Sequence, residues 1–216
     1  MPNWVMNSLL IKAEPAVIAQ IKAQVSAPFE TRHFDWQTNQ QKVETQQQPF
    51  AFWNVIKPTD LDAYWDKADT PQTHPDHWYA WNNRNWGVKW DAANCEEIEL
   101  DNPEGNEVLY NFDTPWGVAE DVFVELSRQY PTARLELEYE EEGGWGGRIV
   151  FDNGTSTIEE EYNDKCRDCG ALDTLDYCEE CSNQLCSACW ATGEAEMDAL
   201  KECSEHKHLA EEKVNG

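Results

Sequence analysis

Between Cys166 and Trp190 the chain reads CRDCGALDTLDYCEECSNQLCSACW: six cysteines in three Cys-x-x-Cys pairs, with Cys203, His206 and His208 close behind. No other stretch limits so tightly what the polypeptide can become. A reduced Cys-x-x-Cys turn presents two sulfurs to one tetrahedral zinc at about 2.3 Å, and each closed site takes two donor pairs. The pairs here are Cys166/Cys169, Cys178/Cys181, Cys186/Cys189, and Cys203 with His206 or His208. Four pairs predict two Zn2+ per chain. The gaps between successive pairs are eight, four and thirteen residues. The short gap between Cys181 and Cys186 allows only a tight turn, so the second and third pairs do not readily close on one ion. Alternating use follows. Cys166, Cys169, Cys186 and Cys189 hold one zinc, and Cys178, Cys181, Cys203 and His206 hold the other, in a cross-brace. His206 with His208 is the second choice for the last pair.

This reading requires reduced thiols. The opening MPNWVMNSLLIKAEP lacks the basic stretch and long apolar run of a secretory signal. No run of about 18 apolar residues exists to span a bilayer. The expectation is a cytoplasmic chain, where clustered cysteines indicate metal rather than disulfides. Thioredoxin-type chemistry uses one Cys-x-x-Cys in a βαβ setting, not three in a row. The ligand count and the histidines suit zinc better than an iron–sulfur cluster. Catalytic zinc keeps a position open, whereas these ligands suffice to close both sites, and the zinc-deaminase signature is absent. A segment of about 50 residues has little apolar core, so metal is expected to supply its folding energy.

These residues resemble the B-box zinc-binding family. The first three donor pairs match in spacing, including the short gap before the third, and Leu185 supplies the apolar residue between pairs two and three. The departure is at the end. A B-box brings two His soon after the sixth ligand; here thirteen residues intervene and Cys203 appears. The resemblance covers residues 163–208 and implies a structural two-zinc module.

Upstream of residue 163 cysteines give way to apolar and aromatic residues. The boundary is placed there, with an α+β domain over 1–162 and the zinc module with a short acidic tail over 163–216. Asn7–Ala13 suits a strand. Pro15 sits at a first helical turn, and Val17, Ile18, Ile21 and Val25 recur at helical spacing. Phe29–Trp36 reads as a strand, Gln37–Gln48 as a Gln-rich loop, and Pro49–Pro58 as an apolar strand. A helix is expected from Pro75 and Asp76, with Trp78, Trp81 and Trp86 near one face and Gly87 ending it. Val88–Leu100 and Glu107–Asp113 read as strands. Val118, Val122, Phe123, Leu126 and Tyr130 mark a helix closed by Pro131. Leu135, Leu137 and Tyr139 alternate with Glu136, Glu138 and Glu140, a strand with one wet face. A glycine-rich turn precedes the strand Arg148–Asp152, Asn153-Gly154 signals a hairpin, and Thr155–Tyr162 is a further strand or the start of a linker. The order suits a split βαβ sandwich, with helices on one face of an antiparallel sheet.

Four motifs in order, PNWVMNSLLI, NWGVKWDA, FDTPWGVAEDVFVELSRQYP and LEYEEEGGWGGRI, resemble the YubB-like ferredoxin-like domain family of phages and plasmids. The resemblance covers most of residues 1–152. It implies a ferredoxin-like α/β sandwich without an iron–sulfur cluster, in a bacterial host cytoplasm, and implies no particular catalytic activity. Many members carry a Pro pair after the motif's Trp, where this chain has Gly117 and Val118.

Trp81, Asn85, Trp86, Lys89 and Trp90 are candidates for a ligand or peptide groove. The competing reading places the rings in the core, with polar side chains satisfying backbone there. His74 and His77, three apart, are read as surface residues, because no second donor pair is near in sequence. Cys95 is read as a small buried apolar residue. Glu136, Glu138 and Glu140 are read as a solvated face rather than an acid–base pair.

Sixteen Lys and Arg stand against 42 Asp and Glu, a net charge of -26. Neutralising phosphates needs cations, so neither nucleic acid nor membrane is an expected partner, whereas a basic protein surface would be steered inward. The expected function is a non-enzymatic binding or adaptor protein whose zinc module is an interaction surface. The alternatives are an acidic nucleic-acid mimic that blocks a host or defence protein, and an enzyme with its site in the first domain.

Overall fold

The computed structural model describes residues 2–35, 37–38, 40–65, 74–164, 175–177 and 184–186. The chain divides into two compact units: Met1–Glu142 with Gly147–Glu160, and Gly143–Gly146 with the chain from Glu161 onward. In the first unit, β1 (Trp4–Lys12) leads into α1 (Pro15–Val25). Proline suits that first turn because its φ is preset and it has no N–H to leave unpaired. Ile18, Ile21 and Val25 are the buried stripe of α1. An insertion follows: the hairpin β2 (Phe29–Asp35) and β3 (Gln40–Gln46), a 3-10 turn at Phe52–Asn54, and the short helices α2 (Leu61–Trp65) and α3 (Trp78–Asn85). Then come β4 (Ala93–Ile98), β5 (Glu107–Pro115), α4 (Glu120–Gln129), β6 (Arg134–Glu141), β7 (Gly146–Asp152) and β8 (Thr155–Tyr162).

The sheet order is β4-β5-β1-β6-β7-β8. β1 runs antiparallel to both β5 and β6, and β5 antiparallel to β4. Without the insertion, β1-α1-β4-β5-α4-β6 is the split βαβ unit, and the expected α+β class with an antiparallel sheet is observed. Alternation assigns the faces. Val5, Leu9 and Ile11 from β1, Tyr110 and Phe112 from β5, and Leu135 and Leu137 from β6 are buried, together with Val122, Phe123 and Leu126 of α4. The opposite face carries Met6, Ser8, Asn111 and Glu138.

Three expectations are corrected. The Gln-rich stretch is a strand, not a loop: β3 pairs with β2 over Phe29↔Gln46 to Asp35↔Gln40. Both its faces are wet, Val43 being 56% exposed, so no apolar alternation marked it. Pro49–Pro58 is not a strand, although Phe50, Ala51, Phe52 and Trp53 are all buried. The N–H groups of Phe52 and Trp53 bond the Asp91 carboxylate instead of a neighbouring strand. A short apolar run does not distinguish these outcomes. Finally, α3 begins after Pro75 and Asp76, and its cap is His77, whose Nδ1 accepts from Tyr79 N at 3.3 Å.

Turn chemistry elsewhere follows the sequence. Gly87 ends α3 at φ +80°, and Asn153 and Gly154 take φ of 47° and 79° between β7 and β8, the paired left-handed residues of a type I′ turn. Thr155–Tyr162 is a strand, exposed along all but its last residue. Glu159, Glu160 and Glu161 give that edge charges that oppose pairing with another chain. Within the sheet, Gly147 is enclosed: a Cβ there would meet Glu160 O at 2.4 Å and Tyr139 Oη at 2.8 Å. Gly147→Ala is therefore expected to lower stability by about 1–3 kcal/mol, read as a lower urea midpoint at unchanged slope. In the second unit, β9 (Leu175–Tyr177) and β10 (Gln184–Cys186) pair antiparallel, with Cys186 opposite Leu175.

Candidate functional site

Three tryptophans distant in sequence meet on the surface of the first unit. Trp4 opens β1, Trp90 ends the turn before β4, and Trp116 follows the last residue of β5. Antiparallel register sets Trp4 opposite Pro115, which delivers Trp116 beside it. The Trp4 and Trp90 centroids are 6.1 Å apart, and those of Trp90 and Trp116 are 6.0 Å apart. Trp116 is 53% exposed, Trp90 37% and Tyr79 45%. Lys89 Nζ lies 4.5 Å from the Trp90 centroid, 5.4 Å from Trp116 and 5.8 Å from Tyr79, within the range of cation–π attraction. Met6, 50% exposed, sits on the same face of β1 as Trp4.

The surface is held from behind. Trp116 has φ +62°, an uncommon conformation for a bulky residue. Its N–H donates to Asn3 O at 2.9 Å. Buried Asn7 donates to Thr114 Oγ1 at 2.9 Å, and Thr114 donates to Gly117 O at 2.6 Å. That chain fixes both flanks of Trp116. On the other side, buried Asn82 donates to Lys89 O at 2.8 Å and accepts from the Tyr64 hydroxyl at 2.8 Å. Next to Trp90, Asp91 accepts from Phe52 N at 2.6 Å, Ala92 N at 2.7 Å, Trp53 N at 3.1 Å and Gln48 Nε2 at 3.3 Å. Burial pushes the Asp91 carboxyl up to about 6, although these four donors pull it down.

The expected groove is divided by this geometry. Lys89 and Trp90 belong to the surface. Trp81 and Trp86 are core, 6% and 2% exposed, and Asn85 donates to Trp81 O at 2.8 Å within its own helix. Trp4, Tyr79 and Trp116 were not among the candidates; strand register brings Trp4 and Trp116 together, and Tyr79 comes from α3. His77 is buried, 3% exposed, rather than on the surface, because its ring caps α3. Cys95 is half-buried, and burial pushes its thiol up to about 12. Glu136 departs from the solvated-face reading. Arg134 Nε at 2.9 Å, Arg148 Nη2 at 2.7 Å and Lys12 Nζ at 3.5 Å surround it, and they hold its carboxyl below the usual range, Arg134 most strongly. Of the expected metal ligands, Cys186 closes β10. Cys166, Cys169, Cys178, Cys181, Cys189, Cys203 and His206 lie outside the described residues. Among the described residues no group of three or more His, Cys, Asp or Glu is placed to hold a metal, and no helix is long and apolar enough to cross a membrane.

Residues 86–181 match the family model of the ferredoxin-like domain in Api92-like protein. The matched span includes Trp90 and Trp116 and ends on Cys181, so it takes in the first two cysteine pairs. The fold is similar to the crystal structure of a protein api92 from Yersinia pseudotuberculosis, with a TM-score of 0.52 and 11% identity. That likeness covers 73% of this chain and 98% of the other. At such identity it is a likeness of fold. No curated protein matches the chain.

Proposed function

We propose that the chain is a non-enzymatic binding or adaptor protein of phage or plasmid type. Its Trp4–Trp90–Trp116 surface anchors a protein partner that carries a basic face, and residues 163–208 form a two-zinc interaction module. The observation that carries the reading is the row of indoles, exposed at Trp90 and Trp116, with Trp116 held in a left-handed conformation by a buried hydrogen-bond chain. Strain of that kind, of order 1–3 kcal/mol, persists where the surroundings impose it and clusters at working surfaces. Tryptophan is the residue most enriched where truncation destroys protein–protein binding. A ring platform also suits stacked bases, but such sites line positive grooves, and this chain carries a net charge of -26. The four motifs quoted above support the phage or plasmid origin, and the donor spacing supports the zinc module.

Two measurements test the reading. In gel-shift titrations at low salt, neither duplex nor single-stranded oligonucleotides are expected to be retarded by micromolar protein. Retardation would replace the protein partner with nucleic acid. In capture from host lysate, the wild type is expected to retain a partner that high salt releases, as the Debye length falls to roughly 3 Å at 1 M. A Trp90→Ala/Trp116→Ala variant is expected to retain at least about tenfold less, in line with a hot-spot loss of about 2 kcal/mol or more, at unchanged thermal midpoint. Equal retention by that variant would remove the surface from the reading.

A further inference from the structure

The insertion and the end of α1 line a half-open cavity of about 440 Å³ that shares no lining residue with the tryptophan surface. Its wall is aromatic. Phe29 stacks on Trp53 with centroids 6.2 Å apart, and Trp65 leans on Trp53 at 5.6 Å. Tyr64 fixes Trp53 edge-on at 5.3 Å, and the Tyr64 hydroxyl is itself tied to Asn82 at 2.8 Å. Arg32 and Lys57 also line the cavity. Lys57 makes no ion pair among the described residues. Arg32 Nη1 donates to Asp62 at 2.9 Å, but that carboxylate is 91% exposed. An exposed pair of this kind holds its partners weakly, so the planar fork of Arg32 remains available to another acceptor. In a chain with a net charge of -26, this cavity sets two cations, Arg32 and Lys57, against a single lining carboxylate, Glu30. The volume falls in the range of roughly 300–1,000 Å³ typical of small-molecule sites.

We propose that this cavity binds a small aromatic anion, a planar ring carrying a carboxylate or a phosphate. The ring packs on Trp65, which Trp53 backs from within the core, and the anionic group pairs with Arg32 and Lys57. Glu30, in the same wall, disfavours highly charged anions and accepts a hydrogen bond from a ring N–H. Calorimetric titration of the full chain with AMP, indole-3-acetate, adenosine and inorganic phosphate tests the assignment. Saturable binding of AMP, indole-3-acetate or both is expected, with Kd below about 1 mM, and adenosine and phosphate alone at least about tenfold weaker. Which of the two anions binds separates a phosphate source from a carboxylate source. Trp65→Ala, and separately Arg32→Ala/Lys57→Ala, are expected to weaken binding at least about tenfold. Trp90→Ala/Trp116→Ala leaves it unchanged, which keeps this site distinct from the protein-docking surface. Should Trp65→Ala fail to fold, the charge variant still decides. No heat from either anion at about 5 mM overturns the proposal, as does adenosine binding as tightly as AMP, or binding that survives both variants.

Discussion

Asp91→Ala is expected to lower the stability of the first unit by about 2–5 kcal/mol, measured by urea denaturation at pH 7. The side chain satisfies Phe52 N, Trp53 N, Ala92 N and Gln48 Nε2 at once. Its removal leaves backbone donors of a buried segment without partners, each costing about 1–3 kcal/mol. That segment is central to the core. Phe50 packs against Tyr110 and Phe112 at 5.2 and 6.0 Å, and Phe52 against Trp86, Phe112 and Phe123 at 6.0, 5.8 and 6.0 Å. Asp91→Asn keeps one acceptor but turns an NH2 group toward N–H donors, so it should recover only part of the loss. The pH dependence has a defined sign. Because burial raises the Asp91 carboxyl to about 6 from an ordinary 3.8, the folded state holds its proton more tightly than the unfolded chain. Its contribution is complete below about 4 and declines as pH rises through about 6. The stability gap between wild type and Asp91→Asn should therefore be wider at pH 5 than at pH 8. A gap that widens with rising pH would show that the four donors outweigh desolvation.

Asp91 also marks where the sequence stops being readable. The helices α1 and α4 and the strands β1, β5 and β6 were legible because each buries one face, so period 3.6 or period 2 is written into its own residues. Gly87 and Asn153-Gly154 were legible because only a few residue types take positive φ at low cost. Asp91 follows Trp90 with no local pattern, and its partner Phe52 lies 39 positions away. The tryptophan surface has the same character. Trp4, Trp90 and Trp116 come from three elements, and only the pairing of Trp4 with Pro115 joins two of them. His77 shows a milder case: the residue type suggested a metal donor or a wet surface, whereas a helix cap asked only for an acceptor nitrogen beside Tyr79. The run Pro49–Pro58 was legible as buried but not as 3-10 turn, because what decides its backbone is a carboxylate from elsewhere.

Removal of zinc from the full chain is expected to unfold residues 163–208 and leave the first unit folded. In the proposed module, thiolate–zinc bonds would supply nearly the whole driving force for so small a segment, since apparent binding free energies of structural zinc are roughly 10–16 kcal/mol. Metal analysis of protein purified without chelator should give about two equivalents per chain. A thiol reagent offers an independent count. Of the eight cysteines, Cys95 is half-buried with its thiol pushed up to about 12, so it is a poor nucleophile. The other seven are the proposed zinc ligands, protected while metal is bound and reactive once a chelator takes it. Fast labelling should therefore rise by about seven thiols per chain on chelation. Acid should act like chelator, because proton and metal compete for the same sulfur. Cys178→Ser should retain about one zinc, since a hydroxyl is a poor donor to this softer metal and only one of the two ions depends on that pair. His206→Ala and His208→Ala then separate the two choices for the last ligand: only the true donor should cost an equivalent of zinc. Protein that carries one zinc or none, or that gains no reactive thiols with chelator, would show that the cysteine pairs are not a cross-brace.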